Sequence, residues 1–134
     1  MRTRILTYVS VAVAFLAMDA VWLTLSGEPL YRRHLAGLLL DDFRLAPAVL
    51  FYALYVAGIV VFAVAPARSA VGALARGAFL GLVAYGTYDL TNQATLKVWS
   101  TLVTAADLCW GAFATAIAAT VGYFALWRSA RPNR

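Results

Sequence analysis

The sequence predicts an all-α fold, an integral membrane four-helix bundle with a short interfacial helix in its first loop. Three observations carry that expectation. Hydrophobic residues make up 63% of the 134 residues and the mean hydropathy is +0.79, well above the roughly 45–50% apolar content of soluble domains. A soluble domain of 14.4 kDa has too little interior to hide so many apolar side chains, so the solvent is lipid. The apolar residues also fall into four stretches of membrane-crossing length, with most charges outside them, in the connections and at the termini. Residues 1–134 therefore read as a single transmembrane domain with spans near 5–26, 47–65, 71–96 and 100–127.

The first span, 5–26, carries one charge, Asp19, in its second half. It is too long for a signal-peptide apolar region and reads as a retained helix. Glu28–Pro29 looks like a helix start, with proline at the first position. Leu30, Leu35, Leu38 and Leu39 then oppose Arg32, Arg33 and His34, the pattern of a helix lying in the interface. The second span, 47–65, has no charge, holds Phe51, Tyr52 and Tyr55 in its first half, and stops at Pro66. The third, 71–96, tolerates Arg76 because a long basic side chain can snorkel from a helix end. Its Gly77-x-x-x-Gly81 permits close helix approach in lipid. The fourth, 100–127, sets Asp107, Gly111, Ala114, Ala118 and Gly122 on one small-residue face.

Four spans put both termini on one side of the bilayer. Arg2, Arg4, Arg68, Arg76, Arg128, Arg131 and Arg134 belong to that side. Arg32, Arg33, Arg44 and Lys97 belong to the other. Seven basic residues against four favour cytoplasmic termini in a multi-pass membrane protein. The net charge of +5 sits singly at segment ends, with no basic stripe for nucleic acid, so the expected partner is the lipid bilayer.

The polar residues are unevenly placed. Asp19, Asp89 and Asp107 each stand seven residues from the same-side end of their spans, roughly 10 Å deep at 1.5 Å per residue. Tyr52, Tyr55, Tyr85, Tyr88, Asn92, Gln93, Trp22 and Trp110 share that half. The other half offers only scattered hydroxyls, among them Thr7, Ser10 and Thr115. In Asp19-x-x-Trp22 and Asp107-x-x-Trp110 the indole stands on the face of its acid, able to shield it or donate N–H to a neighbour. Acids inside spans are costly and normally mark function.

Asp19-x-x-Trp22-Leu23, Phe51-Tyr52-x-x-Tyr55, Tyr88-Asp89-Leu90-Thr91-Asn92-x-Ala94-Thr95-Leu96 and Asp107-x-x-Trp110-Gly111 together resemble a family of small bacterial inner-membrane proteins known as a domain of unknown function. The resemblance covers nearly the whole chain and implies a four-helix integral membrane protein. It brings no activity, cofactor or ligand with it.

Three functional readings follow from the residues. The first is a pocket for a cation, an amine, a lipid headgroup or a hydroxylated substrate, with binding and catalysis both open. The second is proton- or cation-coupled transport on the three acids, which would need a homo-oligomer because four helices rarely make two gates. The third is a structural membrane subunit whose acids only hold helices together. No nucleophile elbow, HExxH, Cys–His pair or phosphate loop is present. His34 is the only histidine, so haem and zinc are not expected. Cys109 lies about 200° from Asp107 on a 3.6-residue helix and reads as a packing residue. A single shared site further implies that Asp19→Asn, Asp89→Asn and Asp107→Asn behave alike.

Overall fold

The computed structural model describes residues 2–130. Arg131 and Arg134, counted above in the charge balance, lie outside the described residues. Every regular element among the described residues is helical, and four helices are long and apolar enough to cross a membrane. We label them α1 (Arg2–Leu35), α2 (Leu45–Val64), α3 (Ala70–Thr95) and α4 (Thr101–Ala130).

The first difference from expectation lies in α1. No separate interfacial helix begins at Glu28. The α-helix Arg2–Ser26 runs directly into a wider π-wound segment, Gly27–Arg32, and a last turn, Arg33–Leu35. Pro29 supplies the reason: it lacks an N–H and its ring crowds the carbonyl four residues back. Shifting to i→i+5 bonding eases the crowding and carries the helix past the missing N–H without ending it.

Proline is accommodated differently in α2. There Pro47 sits in the first turn, where N–H groups lack helical partners in any case, after an extended Arg44 (φ −83°, ψ 112°). Ser69 caps α3 by accepting from the Gly72 N–H at 3.0 Å. Leu96 turns extended at its end (φ −95°, ψ 139°).

Helices α3 and α4 pack antiparallel along their lengths, and glycine makes that approach possible. A Cβ built on Gly81 would lie 1.9 Å from the Gly111 carbonyl oxygen, and one on Gly77 would lie 2.7 Å from the Thr115 carbonyl oxygen. The small-residue face of α4 is buried at Asp107, Gly111, Ala114, Ala118 and Gly122 alike. Gly122 receives Val11 of α1, whose Cγ2 would stand 2.4 Å from an added Cβ. Cys109 is exposed on the outside of α4, so it is not a packing residue.

The core occupies the half of the bundle nearer the termini. Val11, Phe15, Val56, Ile59, Ala63 and Val64 meet Ala114, Ala118 and Ala119 there. The C-terminal part of α2, Ile59–Val64, packs on α3 and α4, whereas Leu45–Gly58 packs chiefly on α1. Away from the termini, α2 and α3 therefore diverge.

Candidate functional site

Each carboxylate comes from a different helix: Asp19 from α1, Asp89 from α3 and Asp107 from α4. All three are buried, Asp89 completely. Asp89 continues the buried stripe Ala73, Gly77, Gly81, Gly86 on α3. Asp89 is six residues from Thr95 and Asp107 six from Thr101, so both lie roughly 9 Å below their helix ends. Asp19 is levelled by contacts instead, since α1 runs on past its expected end.

Those contacts cross between helices. The Tyr52 hydroxyl donates to Asp19 Oδ2, and Trp110 Nε1 donates to Asp19 Oδ1 at 3.2 Å. Trp22 Nε1 donates to the Tyr31 hydroxyl at 2.9 Å, and Tyr31 donates to Asp107 Oδ1. Each tryptophan of an Asp-x-x-Trp pair thus serves the other pair's acid, directly or through Tyr31. Their indoles stack face to face, with centroids 4.7 Å apart and planes 6° from parallel.

Tyr31 is the residue that sequence reasoning missed. Nine steps along a straight α-helix are about two and a half turns, which would put Trp22 and Tyr31 on opposite faces. The π-wound segment under-rotates the chain and returns Tyr31 to the bundle. The signal was present: a proline inside a continuing apolar pattern, followed by a tyrosine.

Asp89 is the exception. Both of its carboxylate oxygens are buried and neither has a hydrogen-bond partner.

Between these side chains lies a cavity of about 500 Å³. Of the residues singled out in the sequence, Asp19, Trp22, Tyr52, Tyr85, Tyr88, Asp89, Asp107 and Trp110 line it. Leu23, Tyr31, Phe51 and Ala84 complete the lining. Three expected members stand apart. Tyr55 forms part of the floor, sharing a 2.7 Å hydrogen bond with Thr115 and packing edge-on against Phe15 at 5.1 Å. Gln93 Nε2 donates to Thr101 Oγ1 at 2.9 Å, tying α3 to α4 beyond the cavity. Asn92 lies one turn past Asp89 and is not part of the lining. The rim includes Phe51 of α2 and Tyr88 of α3, 46% and 62% exposed, at the gap where those helices diverge.

A family model described as "Predicted membrane protein (DUF2177)" matches residues 4–124. No curated protein matches the chain, and no solved structure does.

Proposed function

The chain belongs to the DUF2177 family of predicted membrane proteins, and from its geometry we propose that it binds a small polar or cationic ligand inside the bilayer, in the cavity between its four helices. The observation that carries this reading is Asp89. A buried polar group without a partner is expensive, and one held in hydrocarbon more so. Asp19 and Asp107 are answered by tyrosine and indole donors, so helix cohesion alone accounts for them. It does not account for Asp89, which contributes no bond to the fold and faces a ligand-sized space.

The floor of Phe15 and Tyr55 over an apolar core supports binding rather than passage through a single copy. The charge balance supports termini on the cytoplasmic side and, with them, a cavity toward the periplasmic leaflet.

Native mass spectrometry of the protein purified in mild detergent tests the reading. Wild-type protein should retain a bound small molecule, and Ala84→Trp, which fills the cavity, should lose it. Identical bare masses for both proteins would remove the support for a ligand site.

A further inference from the structure

If the cavity binds a ligand, its walls specify the ligand's chemistry, and the inference here rests on that reading. Asp89 presents two unpartnered acceptors, so the ligand must bring N–H or O–H donors. No lysine, arginine or histidine lines the cavity while three carboxylates do. Such a site attracts positive charge and repels a phosphate or carboxylate on the ligand. Among the described residues no three metal-ligating side chains converge, and the walls around the acids suit an organic cation better than a bare ion. The other walls are ring faces and edges from Trp22, Trp110, Tyr52, Tyr85, Phe51 and Tyr88. Rings of this kind attract cations and also accept an apolar body. The rim at Phe51 and Tyr88 lies between two membrane-crossing helices, so access is from lipid.

We propose that the cavity takes a lipophilic amine: an organic ammonium with at least one N–H, an apolar body and no anionic group, entering from the bilayer. A trimethylammonium head would suit the rings but would leave Asp89 without a donor. A phosphoethanolamine headgroup would carry its phosphate against the carboxylates.

The test uses the full chain in phosphatidylcholine nanodiscs, with binding followed by tryptophan fluorescence and confirmed by thermal unfolding. The probes are decylamine, decyltrimethylammonium, decanol and ethanolamine, with Ala84→Trp as the baseline for partition into lipid. Decylamine should bind saturably, about tenfold or more tighter than the other three. Asp89→Asn should weaken decylamine by roughly tenfold to hundredfold, the loss of a charge-assisted contact, and leave decanol unchanged. Phosphatidylethanolamine added to the discs should not compete.

Equal binding of decylamine and decanol, or a preference that survives Asp89→Asn, overturns the amine. Equal binding of ethanolamine, or full competition by phosphatidylethanolamine, overturns the lipophilic, phosphate-free part by assigning a soluble or headgroup source. Decanol binding that disappears in Ala84→Trp, with no preference for decylamine, overturns the amine but keeps the cavity. If no probe separates wild type from Ala84→Trp, the cavity reading falls as well. Should Asp89→Asn fail to fold, the comparison of probes on the wild-type protein decides.

Discussion

Three aspartates of the same type, at the same depth, do three different jobs, and hydrogen bonding separates them. Asp19 uses both oxygens, one for Tyr52 and one for Trp110. Asp107 uses one oxygen, for Tyr31. Asp89 uses neither. An asparagine has only one acceptor oxygen, and its NH₂ cannot receive a donor. Asp19→Asn should therefore destabilise the protein by about 1–3 kcal/mol, because one donor loses its acceptor. Asp107→Asn should cost less, since its carbonyl can still face Tyr31. Asp89→Asn should be neutral or stabilising, because it removes a carboxylate with no partner. Thermal unfolding of the three variants in one detergent gives the order. The expectation that the three variants behave alike came from treating them as one site. Equal losses in all three would restore it and count against the network described here.

At the scale of helices, what the sequence announced was contact through small residues, and what it concealed was a change of winding. The face of α4 that carries Asp107 was legible because glycine and alanine recur at helical spacing and leave no alternative side to bury. Gly77-x-x-x-Gly81 on α3 was legible for the same reason. Gly81→Ala should cost roughly 1–3 kcal/mol by pushing its Cβ into the Gly111 carbonyl. Gly86 is an internal control, since a Cβ there meets only Leu90 of its own helix at 3.8 Å. Gly86→Ala should be tolerated or gain up to about 1 kcal/mol of helix propensity. If both variants unfold at the same temperature, close approach at Gly81 is not what joins α3 to α4. The π-wound segment was not legible, because Glu28–Pro29 is equally good grammar for starting a helix and for widening one. Pro29→Ala lets α1 rewind and turns Tyr31 away from Asp107. In that background Tyr31→Phe should lose its effect on stability, whereas in the wild type it should cost about 1–3 kcal/mol by orphaning a buried acceptor. Additive losses would mean that Tyr31 reaches Asp107 without the π-wound segment.

For the whole molecule the governing feature is the division between a polar half and an apolar one. Composition made it visible, since the three span acids, both span amides and four of the six span tyrosines fall in the same half. The orphaned state of Asp89 was not visible, because it depends on which hydroxyls the neighbouring helices happen to present at that level. Below the cavity, Phe15 and Tyr55 form the floor, and Val56, Ile59, Ala118 and Ala119 are closed around them. Among the described residues the buried polar side chains on that side are Thr115, held by Tyr55, and Thr7, which donates to the Thr3 carbonyl of its own helix at 2.9 Å. A single copy thus holds a compartment closed on the side of the termini, and conduction would require that floor to open. Cysteine accessibility separates the two cases in a Cys109→Ser background, which removes the exposed native thiol. Val98→Cys, in the exposed loop between α3 and α4 on the cavity side, should react with a charged, membrane-impermeant thiol reagent in intact cells. Ala118→Cys, beneath the floor, should react neither in cells nor in inside-out vesicles. Reaction of Val98→Cys only in inside-out vesicles would reverse the orientation argued from seven basic residues against four. Reaction of Ala118→Cys from the side of the termini would show a water path below Tyr55, and the protein would then have to be regarded as a conduit rather than a receptor.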